Sequence, residues 1–278
     1  MTFEPEQLGQ SKTDLAEKLR DLRKRAGLTG DRLARRCNMS QSQISKFETG
    51  KKTPKLVDVE RILRALDAPP ELVAEVTALA RIANTEWQDK RSSWRRGKER
   101  RQAELASLEA DAAELRYFLP SMITGLLATP EYIRAGLSHT PGDSSKIVAR
   151  KLERQSVLYD TTKDFTFLLT EQAVRWAIVP APAMAVQIDR LVSLSHLENL
   201  QVGVVALGTV MPRGPMNTFT VYDNRLATVE NFTGRMVFRD PRDVSECLAV
   251  FDFFERHADF GDEARALLHR WADLYRDL

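Results

Sequence analysis

The chain is 278 residues long, and its 41 Lys and Arg nearly balance 39 Asp and Glu, so the formal charge of +2 hides the local distribution. Two domains are expected from that length, and 43% apolar with 29% charged residues excludes a disordered or collagen-like polypeptide. No apolar run approaches the roughly 20 residues of a membrane helix, and residues 1–10 lack the basic and then apolar character of an export signal, so a soluble cytoplasmic protein is expected.

Charge by segment is more informative. Residues 12–55 hold 13 Lys and Arg against 5 Asp and Glu, a net of +8, whereas residues 117–278 hold 17 against 20, a net of −3. A compact module with that bias attracts polyanions, because neutralised phosphates release condensed counterions. A merely solvated basic face is the plainer alternative.

In residues 12–26, Leu15, Leu19, Leu22 and Ala26 recur at helical spacing, and Gly27 stands where a left-handed cap ends a helix. Thr29 can cap a short second helix with Leu33 and Ala34 inward, before the tight stretch Cys37-Asn38-Met39. Ser40 can cap a third, Gln41 to Thr49, with Ile44 and Phe47 as its buried side and Gly50 at its end. The remaining positions Gln41, Ser42, Gln43, Ser45 and Lys46 are polar and are expected to point outward. After the basic loop Lys51-Lys52-Thr53-Pro54-Lys55, a fourth helix spans 56–66, with Val59, Ile62, Leu63 and Leu66 as its stripe. A fifth runs from Pro70 toward Trp87.

Residues 90–101, KRSSWRRGKERR, carry seven Lys and Arg and one Glu. They are expected to form an exposed connection between domains; a second element touching a DNA backbone is the sharper alternative. Beyond it, 99–116, 129–137 and 144–159 are expected as helices, and 165–169 and 202–207 as strands, with a helix over 183–196 before the second strand. A meander follows over 217–238, turning at Asp223-Asn224-Arg225 and Thr233-Gly234, and helices over 241–257 and 262–276 close the chain. The expected fold class is an N-terminal all-α domain of about five helices followed by an α+β domain with a small, mostly antiparallel sheet. The expected boundaries are a tail over 1–11, the helical domain over 12–88, a basic linker over 89–101 and a regulatory or interaction domain over 102–278.

Two short helices joined by a tight turn, the second lined with small polar and amide side chains, is the arrangement that places a helix in the major groove. Gln offers a donor and an acceptor matching adenine N6 and N7, Lys reaches guanine O6 and N7, and Ser can meet any base edge. On the string ISKFETGKKTP, set behind LTGDRLARRCN, residues 12–70 resemble the Cro/λ-repressor-like helix-turn-helix regulators, the xenobiotic-response-element (XRE) family. The resemblance implies sequence-specific binding of double-stranded DNA, with Gln41, Ser42, Ser45 and Lys46 facing base edges. It implies phosphate contacts from Thr29, Gln43, Lys51, Lys52 and Thr53, and a structural ion pair between Arg23 and Glu48. One departure is Gly30, where many relatives carry Gln, so the phosphate contact expected there is missing.

The stretches EADAAELRYFLPSMITGLLATPEYIRA (109–135), KLERQSVLYD (151–160), FTFLLTEQAVRW (165–176) and TVYDNRLATVEN resemble the domain behind this helix-turn-helix in actinobacterial, WhiJ-like regulators. That domain has no known biochemical function. The segment AIVPAPA (177–183) departs from the glycine turn of the relatives. The resemblance implies a domain that senses a small-molecule effector or a small partner protein encoded nearby. A lone helix-turn-helix presents few base contacts, which argues for a homodimer on a palindromic operator. The alternative is an antitoxin-like DNA-binding protein whose main role is to hold that small partner.

An enzyme is not expected. His139, His196, His257 and His269 sit in no His-Glu-x-x-His or other ligand spacing, and neither a phosphate-cradling glycine loop nor a Gly-x-Ser-x-Gly elbow occurs. The acidic patches at 240–246 and 259–263 flank or start helices, where they favour the helix dipole. Cys37 and Cys247 have no companion spacing and are expected as buried, reduced thiols, so neither a disulfide framework nor a structural zinc site is indicated; no metal and no cofactor are expected elsewhere in the chain.

Overall fold

The computed structural model describes residues 5–89, 98–139, 142–231 and 233–278. By compactness the chain falls into two units, residues 1–89 with 236–241 and residues 90–235 with 242–278.

The first unit holds α1 (Pro5–Arg25), α2 (Gly30–Cys37), α3 (Gln41–Glu48), α4 (Leu56–Ala65), α5 (Pro70–Asn84) and the short strand β1 (Glu86–Asp89). Each helix turns one apolar stripe inward. Leu15, Leu19, Leu33, Ile44, Phe47, Val59, Ile62, Leu63, Val76 and Ala80 from all five close into a single core. Gly27, Asn38 and Gly50, all at positive φ, break the chain after α1, α2 and α3. Two boundaries differ from the sequence reading. Helix α1 starts at Pro5 and not at residue 12; proline suits a first helical turn. Helix α5 stops before Trp87, which lies in β1, because Thr85 turns extended (φ −81, ψ 121) while its hydroxyl donates to Arg81 O at 3.1 Å.

The rest of the chain contains α6 (Lys98–Asp111), β2 (Glu114–Leu119), α7 (Pro130–Gly136), α8 (Ser145–Arg154), a 3-10 turn (Gln155–Tyr159), β3 (Asp164–Thr170) and α9 (Glu171–Arg175). It continues with α10 (Ala181–Leu194), β4 (Leu200–Val205), β5 (Thr218–Tyr222), β6 (Leu226–Glu230), β7 (Gly234–Phe238), α11 (Pro241–Glu255) and α12 (Gly261–Arg276). The α+β class holds, but the sheet is mixed and larger than a small, mostly antiparallel one. Its strands run in the order β6-β5-β2-β3-β4, with β7 following β6 across the turn closed by Asn231 N–H to Gly234 O at 3.0 Å.

Strand β2 is the centre of this sheet; the helix expected over 99–116 ends at Asp111 as α6, and its last three residues open this strand. It pairs parallel with β3 (Tyr117 opposite Phe167) and antiparallel with β5 (Tyr117 opposite Thr220). The alanine-rich approach looks helical, but α6 ends at Asp111. The N–H groups of Ala113 and Glu114 then donate to Asp223 Oδ1, both at 2.9 Å. Strand β3 also pairs parallel with β4. Parallel neighbours need long crossovers, which α7, α8 and the 3-10 turn provide before β3 and α9 and α10 provide before β4. Strand β4 covers 200–205 instead of 202–207, and α9 is a short helix that the sequence pattern did not reveal.

Both faces of the sheet are aromatic. Tyr117 stacks on Phe167 with ring centroids 4.7 Å apart on one side, and Phe118 stacks on Phe254 of α11 at 4.5 Å on the other. Gly203 is required by close approach, since a Cβ there would lie 2.5 Å from the Phe260 ring and 2.6 Å from Leu168. No helix among the described residues is long and apolar enough to cross a membrane.

Candidate nucleic-acid interface

Helices α2 and α3 meet across a turn made by Asn38 in the left-handed region, with Met39 N–H returning to Ala34 O at 2.9 Å. Both helices are capped by hydroxyls. Thr29 Oγ1 accepts from Arg32 N–H at 3.3 Å, and Ser40 Oγ accepts from Gln43 N–H at 3.1 Å. These bonds satisfy donors that a helix start otherwise leaves to water.

Helix α3 divides by side. Ile44 and Phe47, each 1% exposed, bind it to the core. At about 3.6 residues per turn, Gln41, Ser42, Ser45 and Lys46 fall on the opposite arc, and all four are exposed. Gln43 and Glu48 lie at the two borders and are half-buried. The arrangement is one polar strip about two turns long on a helix that cannot rotate, because its other side is locked by two large apolar residues.

The proposed phosphate-contacting residues surround that strip. Lys51 and Lys52 are exposed immediately after α3, and Lys52 N–H donates to Lys46 O at 3.1 Å, folding the loop back onto the end of the helix. Thr53 is half-buried, and Thr29 is exposed at the start of α2. A Cβ at Gly30 would meet Gln41 Nε2 at 3.8 Å, an ordinary contact, so backbone geometry does not require glycine there.

Arg23 and Glu48 form a two-pronged ion pair, Nε to Oε1 at 2.6 Å and Nη2 to Oε2 at 2.8 Å, while Nη1 donates to Leu28 O at 2.7 Å. Their side chains are 15% and 9% exposed. The hydrogen bonds to Glu48 hold the Arg23 guanidinium above its usual pKa against the opposing effect of burial. One planar group thus ties α1, the turn before α2 and the last turn of α3 together, with geometry that only Arg supplies.

The sequence reading missed Asn84. Its amide Nδ2 donates to Pro54 O at 2.9 Å and to Ala80 O at 2.8 Å. An asparagine 30 residues from its partner leaves no local sequence signature.

His139, His196 and His269 are exposed, and His257, just past α11, has Nδ1 2.8 Å from Phe253 O. No three His, Cys, Asp or Glu side chains among the described residues are placed to hold a metal ion. Cys37 is buried, whereas Cys247 is half-buried and not fully enclosed. Burial, reinforced by Asp243 and Glu246, pushes the Cys247 thiol up to about 11, away from reactivity at neutral pH. Trp176, Leu207, Leu274 and Leu278 line an open cleft.

Residues 102–270 match the domain of unknown function DUF5753. The chain belongs to the DUF5753 family. In front of its DUF5753 domain, residues 14–76 match a helix-turn-helix domain, so α1 to α5 carry a helix-turn-helix DNA-binding domain. No curated protein matches the chain. Among solved structures it is similar to a phospholipase D family member, Nuc from Salmonella typhimurium, at 8% identity and a TM-score of 0.37, over 58% of this chain and 90% of that one. It is also similar to TrmBL2, an archaeal chromatin protein, at 11% identity and a TM-score of 0.34, over 78% of this chain and 68% of that one. At such scores neither likeness bears on the chemistry of this chain.

Proposed function

We propose that this protein is a sequence-specific transcriptional regulator of the XRE type, WhiJ-like and actinobacterial, that binds double-stranded DNA with α3 in the major groove. The observation that carries this reading is the strip Gln41, Ser42, Ser45 and Lys46, exposed on a helix whose opposite side is anchored by Ile44 and Phe47. Base-reading groups need that combination of free tips and a fixed backbone, because hydrogen bonds to base edges tolerate little displacement. The hydroxyl-capped starts of α2 and α3 and the exposed Lys51 and Lys52 support phosphate contacts that set the register.

The DUF5753 domain, in this reading, is a non-enzymatic sensor of an effector or small protein partner, and it joins two copies into a homodimer in the cytoplasm. Two-fold pairing would place two α3 helices on half-sites about 34 to 36 Å apart, or a multiple of that. The apolar side chains that line the open cleft of this domain are consistent with a role in association. Genome-wide mapping of bound sites, followed by footprinting of one, tests the whole reading. Protection of a short palindromic sequence by a dimer of the full chain is the expected result. Binding without sequence preference would defeat it.

A further inference from the structure

The loop that carries Lys51, Lys52 and Thr53 is pinned from three directions. Lys52 N–H reaches Lys46 O on α3 at 3.1 Å, and Lys55 N–H reaches Asp58 Oδ2 on α4 at 3.4 Å. The third hold is the only one made by a side chain outside the loop's flanking helices. Asn84 Nδ2, in the last turn of α5, donates to the carbonyl of the buried Pro54 at 2.9 Å. Its second proton goes to Ala80 O at 2.8 Å, one turn back on its own helix, so the amide is fixed in orientation. Pro54 has no N–H and can be held through its backbone only by its carbonyl.

We propose that Asn84 is a positioning residue of the DNA interface: it sets where the Lys51–Lys55 loop presents its lysines and couples that loop to the last turn of α5. The proposal rests on the DNA-binding reading above. Without the Asn84 amide, Pro54 O loses the donor it has among the described residues, and the loop must shift to bring it to another donor or to water. The lysines keep their charge, so attraction to any duplex persists, but the register they impose on α3 does not. Helix α5 is followed by β1, so a displacement of its last turn would reach the phosphate contacts through the Asn84 amide.

The test uses the full chain with three substitutions. Asn84→Leu removes both hydrogen bonds at similar volume. Asn84→Ser leaves a hydroxyl that can bond back to Ala80 O, as Thr85 does to Arg81 O, and loses only Pro54. Thr85→Val disturbs the same helix end without touching the loop. Two quantities are read: amide exchange at Lys52 and Lys55, whose N–H groups are hydrogen-bonded, in the free protein, and affinity for a mapped site and for random duplex.

For Asn84→Ser and Asn84→Leu, loop exchange should rise at least about fivefold. Affinity for the mapped site should fall about tenfold, with random-duplex affinity within about twofold of the parent. Thr85→Val should leave all three near parental values. Unchanged loop exchange in Asn84→Ser overturns the proposal, as does an equal loss on both duplexes or the same pattern in Thr85→Val. A parent chain that prefers no sequence defeats the DNA-binding reading and this role with it, whereas fast loop exchange in Asn84→Ser would still show the amide's hold on the loop.

Discussion

Each of the two units holds a half-buried arginine in a carboxylate fork, and the two forks sit in different surroundings. In the helix-turn-helix domain Arg23 meets Glu48 at the rim of the core, with side chains 15% and 9% exposed, on the helix that presents Gln41, Ser42, Ser45 and Lys46 to solvent. In the DUF5753 domain Arg154 of α8 meets Glu109 of α6 through Nη2 at 2.7 Å and Nε at 2.9 Å, with Glu109 only 1% exposed. Gln102, two turns earlier on α6, accepts from the same guanidinium, and Tyr117 of the central strand donates to Glu109 Oε1 at 3.2 Å. Burial raises the Glu109 carboxyl above its ordinary pKa even though Arg154 and both hydrogen bonds pull it down. The smaller unit keeps its charge outside, where a polyanion can use it. In the larger unit the Arg154–Glu109 fork ties α8 to α6.

The largest effect that would break this contrast is in the deeper fork. Arg154→Met should lower the stability of the DUF5753 domain by about 3 to 5 kcal/mol, because it strands a buried carboxylate. The pH dependence gives the sign. A carboxyl whose folded pKa is raised binds its proton more readily in the folded state. Its contribution to stability is therefore complete below the unfolded value of about 4.3 and is lost as pH rises through the folded value. Removing Arg154 raises that folded value further, so the cost of Arg154→Met should be larger at pH 7 than at pH 5. Denaturant titrations at the two pH values measure it, and equal costs would show that Glu109 is not the group left behind.

Next in size is the shallower fork. Arg23→Met should cost the helix-turn-helix domain about 3 kcal/mol, near the lower end for a broken buried pair, because Glu48 can reach water from its edge position. The two domains are expected to unfold in separate transitions, and only the one belonging to α1–α5 should move. A variant with unchanged unfolding and no DNA binding would make Arg23 a DNA contact and remove the structural role its geometry suggests.

The two regions also differed in how much of them could be read from sequence. In the N-terminal unit short-range rules placed the five helices but missed the start of α1, the strand β1 after α5 and the Asn84–Pro54 bond. Thr29 and Ser40 sit ahead of apolar pairs, Gly27 and Gly50 end helices, and a period near 3.6 marks the inward residues, so the exposed face of α3 followed by elimination. In the DUF5753 domain the decisive facts are long-range. Strand β2 is central because of partners about 50 and 100 residues away, and nothing local separates its Glu114-Leu115-Arg116 opening from the end of a helix. The Arg154–Glu109–Tyr117 cluster and the Asn84–Pro54 bond were unreadable for the same reason. The basic run 90–101 lies outside the described residues from 90 to 97, and its last four positions open α6.

Smaller effects sharpen the contrast on the DNA side. Gln41→Ala should cost roughly 1 to 3 kcal/mol on the preferred site while leaving random duplex nearly untouched, since a bidentate amide contact carries discrimination and little general affinity. Gln41 is exposed, so the folded state should barely notice. Matched titrations on the two duplexes decide it; equal losses on both would move Gln41 to the backbone-contacting set.

The smallest expected change per residue belongs to the exposed lysines. Replacing Lys51 and Lys52 by Ala should weaken binding to every duplex alike and reduce the slope of log affinity against log salt by about 0.9 for each phosphate that is no longer neutralised. At high salt the variant and parent should converge, because screening removes the same attraction that the substitutions removed. Neither side chain is buried, so the unfolding transition should stay where it is. That combination, a lower slope with unaltered stability and specificity, is the reverse of what Arg154→Met produces. A double variant with the parental slope would mean that these lysines face solvent in the complex and that the positive charge of residues 12–55 acts elsewhere on the module.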